Sequence, residues 1–400
     1  MKQTSDSCNT TKYNFDEIID RRGSGALKTD RLTERYGRND LTALWVADMD
    51  FRCGDFITDA IRKRCDEGIF GYNITPDSYL NSIVNWVKNR HGWAIEKQWL
   101  SYIPGIVKGI ALTIMHFTKP NDKVIIQPPV YHPFRLVPQM QGREVVFNPL
   151  IESNGRYKMD LEGLKRVIDK DCKILILCNP HNPAGIIWDK ETLAELARIC
   201  RESNILVISD EIHADMRLFG HKYWSFATVS DDAAQNSITF MAPSKTFNIA
   251  GIVSSYSIIP NPEIRKSFYD FLQAGELDEG TIFSYLATEA AYTKGVDWMN
   301  EMLKYIEGNI LFVDDFLKKN IPQIKAVIPE ASFLLWLDCR ALGLNQRDLN
   351  ALFVEKAHLA LNDGEMFGRE GIGFMRMNIG SPRKILEKAL IRLKDAIDEK

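Results

Sequence analysis

Several features that mark other protein classes are missing from this sequence. Its 50 Lys and Arg residues are balanced by 53 Asp and Glu, and the net charge of −3 provides no basic surface for nucleic acid. No apolar run reaches the roughly 20 residues that cross a bilayer, and Met1 to Glu17 contains no apolar core of a signal peptide. There is no H-E-x-x-H motif and no cluster of Cys and His. These absences predict a soluble protein that binds no nucleic acid, no membrane and no metal.

Cysteine is also sparse. The seven cysteines are odd in number, scattered, and include no C-x-x-C pair: Cys8, Cys53, Cys65, Cys172, Cys178, Cys200 and Cys339. This usage is typical of reduced thiols, so we expect a cytoplasmic protein. Apolar sequence is abundant, because 45% of the 400 residues are hydrophobic, which is enough for the core of two or three domains.

Short apolar runs between about residues 120 and 245 predict the buried strands of a parallel sheet covered by helices. They are Val124–Ile126, Ile174–Leu177, Ile205–Ile208 and Ile238–Met241. Between the second and third runs, Asp189 can cap a helix in which apolar residues recur at helical spacing from Leu193 to Cys200. The pattern predicts a β-α-β crossover.

The pattern of predicted elements changes after a long helix, which is indicated by apolar residues at helical spacing from Met299 to Leu317. Beyond it, the sequence predicts two strands, a helix between them and an amphipathic closing helix: Phe333–Leu337, Leu349–Ala357, Met375–Ile379 and Leu386–Ile397. These elements indicate a smaller α+β part of about a hundred residues that the N-terminal segment completes.

Polar residues that follow the apolar runs are candidates for the functional site, because ligands bind at the carboxyl ends of parallel strands. Asn-Pro pairs predict a rigid extended turn. A lysine among apolar neighbours has a lowered pKa and can act as a nucleophile. The backbone N–H groups of a loop that opens a helix can bind a phosphate. The simpler alternatives are a plain loop, a helix cap for the aspartate and a solvated charge for either lysine. The four segments are Pro104–Ile110, Asn179–Gly185, Ser209–His213 and Ala242–Gly251.

These segments, in this order, resemble the fold-type I pyridoxal 5′-phosphate (PLP) enzymes of the class I/II aminotransferase superfamily. A wider set of motifs resembles its cystathionine β-lyase branch, typified by MalY, PatB and cystalysin. The motifs are Trp45–Phe51, Gly71-Tyr72, Arg90–Trp93, Pro129–Phe134, Asn179–Gly185, Ser209–His213 and Ser244–Gly251. The resemblance runs from about Asn14 to the last helix.

The resemblance implies an α/β fold with two domains. A mostly parallel seven-stranded sheet between helices would form the large PLP-binding domain over residues 59–296. The small α+β domain would combine the N-terminal segment 1–58 with residues 297–400. The branch also implies a homodimer in which Tyr72 reaches the phosphate of the neighbouring subunit.

The same resemblance assigns roles to individual residues. Lys245 would hold PLP as a Schiff base and then act as the base at Cα, while Asp210 would keep the pyridine nitrogen protonated. Asn182 would bond the phenolic oxygen and Tyr131 would stack on the ring. Ile106, Val107 and Ser244 would bind the phosphate. Arg376 would bind the α-carboxylate of the substrate.

Two departures from the aminotransferase pattern favour the lyase branch. His213 stands where many aminotransferases have a tyrosine at the phenolic oxygen, and Val253 stands where they have a phosphate-binding arginine. The substrate side chain would be held by Tyr131, His132 and the segment Asp48–Asp50, with roles left open.

The implied reaction is α,β-elimination on L-cystathionine, cysteine or a related sulfur amino acid, giving a thiol, pyruvate and ammonia. One alternative is a PLP aminotransferase. Another is a lyase that also acts as a regulatory binding protein.

Overall fold

A seven-stranded sheet forms the centre of the molecule, and the computed structural model describes residues 12–153 and 155–399. Its strands are β1 (Leu100–Ile103), β2 (Lys123–Ile126), β3 (Glu144–Phe147), β4 (Cys172–Cys178), β5 (Leu206–Asp210), β6 (Ser237–Met241) and β7 (Ser255–Ile258). The spatial order is β1-β7-β6-β5-β4-β2-β3, and all neighbouring strands are parallel except in the two pairs that involve β7. The predicted mostly parallel sheet is therefore confirmed.

Both faces of the central strands are buried, which explains why their sequences are apolar throughout rather than alternating. In β4, Ile174 belongs to the apolar cluster of the helix Ile106–Phe117, while its neighbour Leu175 belongs to that of the helix Lys190–Glu202. The latter helix begins where the sequence predicts, because the Asp189 side chain accepts a hydrogen bond from the N–H of Thr192 at 2.7 Å. The crossover between β4 and β5 is thus confirmed.

The remaining helices of this part surround the sheet. They are Asp55–Asp66, Asp77–His91, Pro133–Met140, Leu161–Val167, Asp231–Gln235, Pro262–Ala274 and Ile282–Lys294. Two short helices, Leu27–Asp30 and Leu32–Tyr36, lie near the N-terminus. A two-stranded hairpin pairs Ile151–Ser153 with Arg156–Lys158.

The C-terminal part is built on a four-stranded antiparallel sheet that follows the long helix Val296–Asn320. Its strands are β8 (Lys325–Val327), β9 (Leu334–Asp338), β10 (Asn362–Asp363) and β11 (Phe374–Asn378). Their spatial order is β8-β9-β11-β10. The closing helix is Arg383–Asp398. The helix predicted over Leu349–Ala357 differs, because it spans Gln346–Ala351 and continues as one wider turn, Leu352–Lys356, that buries both Leu352 and Phe353.

The N-terminal segment joins the C-terminal part through a parallel pairing of Thr42–Ala43 with Leu359–Ala360. The domain boundaries at 58/59 and 296/297 stay predictions. No helix in the described ranges has the length and apolar character to cross a membrane. Cys8 lies outside the described residues, and the six described cysteines are free thiols.

Candidate active site

A cavity of about 300 Å³ opens where β4, β5 and β6 end, beside the amino end of the helix Ile106–Phe117. Eight of the predicted site residues line it: Ile106, Val107, Tyr131, Asn182, Asp210, His213, Ser244 and Lys245. Arg376, Asp48 and Tyr72 do not. The carboxyl ends of neighbouring parallel strands meet at one edge, and this brings together segments that are far apart in sequence.

Asp210, the last residue of β5, is buried without a cationic partner among the described residues. One carboxylate oxygen accepts a hydrogen bond from the N–H of Ile212 at 3.1 Å. That amide lies in a turn, so Asp210 does not serve as the helix cap that the sequence left as an alternative. Burial raises the pKa of Asp210 to about 7, which means that the site favours either a proton or a cation next to this carboxylate.

Lys245 lies in the turn after β6 and reaches the cavity with its amine. Its Nζ donates a hydrogen bond to the carbonyl oxygen of Ala47 at 2.6 Å. Burial lowers the pKa of Lys245 to about 8, although the nearby carboxylate of Asp48 acts in the opposite direction. The amine is therefore uncharged in an appreciable fraction of molecules near neutral pH, as a nucleophile requires.

The amino end of the helix Ile106–Phe117 provides a cradle for an anion. Gly105 has a φ of +116°, a conformation that residues with a side chain rarely adopt, and it directs the chain into the helix. The Ser254 hydroxyl also lines the cavity and is buried without a hydrogen-bond partner in the described chain. Sequence reasoning missed Ser254, since no motif marked it. Lys108, for which a solvated charge was one alternative, is exposed and lies at the edge of the cavity.

Arg376 lies behind the cavity wall, fully buried, and is tied to the site through Asn182. Its guanidinium donates to the side-chain oxygen of Asn182 and to the carbonyl oxygen of Trp45, each at 3.0 Å. Burial lowers the pKa of Arg376 to about 10, so it remains charged at neutral pH. Because Asn182 uses its oxygen for Arg376, its NH2 group is the part that can donate into the cavity.

The other two cavity-lining rings, Tyr131 and His213, are both held uncharged. Burial raises the pKa of Tyr131 and lowers the pKa of His213 to about 3. The His213 ring packs edge-on against Phe333, with centroids 6.2 Å apart. Neither ring therefore adds a charge beside Asp210 at neutral pH.

Hydrogen bonds and an ion pair hold the segment that contains Ala47 in place. Asn378 donates to the carbonyl oxygens of Val46 and Asp48, both at 2.6 Å. The Asp48 carboxylate is occupied by Arg21 at 2.8 Å, which places it beside the site rather than in the cavity. The predicted contact of Asp48 with substrate stays a prediction.

The sequence profile described as "Aminotransferase class I and II" matches residues 55–393. The chain belongs to this aminotransferase family. Cystathionine beta-lyase PatB of Bacillus subtilis (strain 168) is 41% identical over 385 residues, which are 96% of this chain and 100% of that protein.

Two solved structures show the same similarity. A PLP-bound putative aminotransferase from Clostridium difficile 630 has a TM-score of 0.94 at 45% identity and covers 96% of this chain and 100% of its own. Cystalysin from Treponema denticola, which contains a pyridoxal 5′-phosphate cofactor, has a TM-score of 0.93 at 35% identity, with coverages of 97% and 99%. The superfamily, the branch and the fold that the motifs indicate are thus confirmed.

The groups in this aminotransferase-family cavity match pyridoxal phosphate chemically. The buried carboxylate of Asp210 needs a positive partner, and the protonated pyridine nitrogen of the cofactor would be one. Lys245 offers an amine of lowered pKa for the aldehyde carbon, and Ser254 offers an unused hydroxyl next to the helix amino end for the phosphate. The structure therefore fits the cofactor at three chemically different points.

Proposed function

We propose that the chain is a PLP-dependent carbon–sulfur β-lyase of the cystathionine β-lyase type. An S-substituted L-cysteine and water would give a thiol, pyruvate and ammonia, with cleavage of the Cα–H and Cβ–S bonds. The observation that carries the proposal is that Lys245, with its lowered pKa, and Asp210, buried without a cation, share one cavity. The similarity to PatB over the whole of that protein supports a lyase among the PLP reactions.

When bound, PLP supplies an electron-withdrawing ring that stabilises negative charge at the substrate Cα. Lys245 would attach the aldehyde carbon and, once its amine is free, would take the Cα proton on Nζ. Asp210 would hold a proton on the ring nitrogen, because its buried carboxylate requires a positive partner. Arg376 would bind the substrate α-carboxylate with its planar guanidinium.

The other lining residues would position the cofactor. Asn182 would donate its NH2 group to the phenolic oxygen and contact the substrate, and Tyr131 would stack on the ring. The N–H groups of Ile106 and Val107 and the hydroxyl of Ser244 would bind the phosphate. His213 would contact the cofactor as a neutral ring, and Asp48 would act near the substrate.

A lyase is favoured over the aminotransferase alternative by two residues. His213 is neutral and lacks a partner for Nδ1 in the described chain, and Val253 brings an apolar side chain to the wall of the cavity. Both stand where the aminotransferase pattern has groups that bond the cofactor.

We also propose that the protein acts as a homodimer in which Tyr72 contacts the phosphate of the neighbouring site. Tyr72 is fully exposed, and Ile69, Phe70 and Ile74 beside it are also exposed. Such an apolar surface favours burial by a second subunit. A cytoplasmic location is part of the proposal, since free thiols suit a reducing compartment.

The test uses purified protein with PLP and L-cystathionine and no keto acid. We expect pyruvate, ammonia and homocysteine in equal amounts. Asp210→Ala should retain attached PLP but lose nearly all turnover, whereas Asp189→Ala, which removes a helix cap outside the cavity, should remain active. Amino-group transfer that depends on an added keto acid, without pyruvate from cystathionine, would establish the aminotransferase instead.

A further inference from the structure

The sequence motif Arg90–Trp93 lies outside the cavity, and the cofactor chemistry gives it no role. Its first two residues end the helix Asp77–His91, and both contact Asp215, a buried residue of the turn that follows β5. The Arg90 guanidinium donates to the backbone carbonyl oxygen of Asp215 at 2.6 Å, and His91 Nε2 lies 2.9 Å from the side-chain Oδ1. The motif therefore converges on one aspartate.

The carboxylate of Asp215 has three hydrogen-bond partners. Oδ1 accepts from the indole N–H of Trp86 at 2.9 Å as well as from His91, and Oδ2 contacts the hydroxyl of Thr246 at 3.0 Å. Burial acts to raise the pKa of Asp215, but hydrogen bonds and charge from His91, Arg90 and Trp86 outweigh it and leave the pKa lowered. The carboxylate is therefore ionised at neutral pH and can only accept, so the Thr246 hydroxyl donates to it.

Thr246 is fully buried and directly follows Lys245. Two residues later, the side-chain NH2 group of Asn248 donates to the carbonyl oxygen of Met49 at 2.8 Å. The turn that carries Lys245 is thus held at Thr246 by Asp215 and at Asn248 by the N-terminal segment.

Asp215 also connects the two turns on which the proposed chemistry depends. Asp210 ends β5 and Lys245 lies in the turn after β6, and these two strands are parallel neighbours. The flexible four-carbon side chain of a lysine places its amine only as accurately as its backbone is held. A displacement of about 1 Å from the productive geometry can slow a reaction by about 100-fold.

We infer that Asp215 is a positioning residue for Lys245 and acts through the hydroxyl of Thr246, while Trp86 and His91 hold its carboxylate in place. This inference rests on the proposed function, because it needs Lys245 as the amine that attaches PLP and takes the Cα proton. Neither Asp215 nor Thr246 lines the cavity. Loss of their hydrogen bond should therefore slow the steps of the Lys245 amine and leave substrate binding unchanged.

The test compares Thr246→Val, which keeps the shape of the side chain without its donor, with Thr246→Ser, which keeps the donor. On the holoenzyme, kcat and KM are measured for L-cystathionine with hydrogen and with deuterium at Cα. Thr246→Val should lower kcat by about tenfold to 100-fold with little change in KM. Its isotope effect on kcat should rise, because transfer of the Cα proton to Nζ becomes the slowest step. Thr246→Ser should resemble the wild type.

A second measurement needs no turnover. PLP is added to each apoprotein, and the rate of covalent attachment is followed by visible absorbance. Attachment should be slower in Thr246→Val and normal in Thr246→Ser, because the same amine must reach the aldehyde carbon. Thr288→Val is the matched control: Thr288 is equally buried, and its hydroxyl donates to the carbonyl oxygen of Ser284 at 2.7 Å within a helix outside the cavity. This control should keep both rates.

A double variant identifies the partner through which Thr246 acts. Once Asp215→Ala has removed the acceptor, Thr246→Val should lower kcat no further. Losses that add in the double variant would show that Thr246 acts without Asp215 and would refute the inference. If Asp215→Ala does not fold, the comparison of the two Thr246 variants decides alone.

The remaining outcomes separate this inference from the proposed function. If Thr246→Val keeps the wild-type kcat, isotope effect and rate of PLP attachment, or if Thr288→Val shows the same losses, the positioning role is refuted while the lyase stands. If the wild type releases no pyruvate from cystathionine, the lyase is refuted, whereas the rates of PLP attachment still decide the role of Asp215.

Discussion

The unusual pKa of Asp210 leads to a quantitative prediction for the cofactor-free protein. At about 1.4 kcal/mol for each pKa unit, a pKa raised by burial from 3.8 to about 7 makes ionisation of Asp210 cost the folded protein about 4 kcal/mol. Between these pH values the folded state binds more protons than the unfolded chain, so this contribution to stability is lost as the pH rises. Above pH 7 Asp210 is ionised in the folded protein as well, and the whole of this free-energy cost lowers the stability.

Asp210→Asn removes the titration while it keeps the size of the side chain. The free energy of unfolding of the variant, relative to that of the wild type, should therefore rise by about 4 kcal/mol between pH 4 and pH 8. Urea unfolding of both apoproteins, followed by tryptophan fluorescence at the two pH values, measures this difference. Titrations of other groups are common to both proteins and cancel.

A second aspartate, Asp338, tests the direction of the predicted pH dependence. At Asp338 burial raises the pKa, but hydrogen bonds and charge from Arg340 outweigh it and leave the pKa lowered. Asp338→Asn should therefore show a pH trend opposite to that of Asp210→Asn. If the wild-type and Asp210→Asn proteins differ by the same amount at both pH values, Asp210 is ionised in the apoprotein and the argument for a buried carboxylate that awaits a cation is wrong.

Four further predictions concern single residues. Lys245→Ala should lose both turnover and the visible absorbance that survives desalting, and colour retained through a covalent bond would contradict the assignment. Gly105→Ala forces a side chain into a φ of +116° and should weaken PLP binding by about 1–3 kcal/mol, as measured by titration of the apoprotein; unchanged affinity would show that the cradle tolerates it. Asp215→Asn removes the charge of a buried carboxylate that accepts hydrogen bonds from Trp86 and Thr246 and contacts His91 at 2.9 Å, and it should lower the free energy of unfolding by about 1–3 kcal/mol, a loss that a urea titration would detect or exclude. His213, with a pKa of about 3, is neutral at all working pH values, so His213→Gln should leave the acidic limb of the kcat/KM profile in place, and its disappearance would assign that limb to His213.

The local amino-acid pattern was sufficient to predict most of the secondary-structure elements of the fold. The strands predicted at Val124–Ile126 and Ile174–Leu177 are present in β2 and β4, because strands buried on both faces are apolar without interruption. The Asp189 cap could be located for the same local reason. The wide turn at Leu352–Lys356 could not, because it depends on the packing of two consecutive side chains into the core rather than on helical periodicity.

The candidate site could be predicted only where a motif marks it. Lys245 and Asp210 follow apolar runs and stand in recognisable segments, and the structure places both in the cavity. Ser254 carries no such signal, since a serine is an ordinary residue until its hydroxyl is buried without a partner. The same holds for Ala47, whose contribution is a backbone carbonyl that receives the Lys245 amine.

The order of amino acids specifies which residue types follow each strand and therefore the class of chemistry that the chain can perform. The electrostatics of these residues depend on folding, because the pKa values of Asp210 and Lys245 are shifted by burial under segments distant in sequence. Folding also placed the Arg376 guanidinium against Asn182 and the carbonyl oxygen of Trp45, which are far from it in the sequence. Charge interactions act through space, and the distances that govern them are fixed only when the chain has folded.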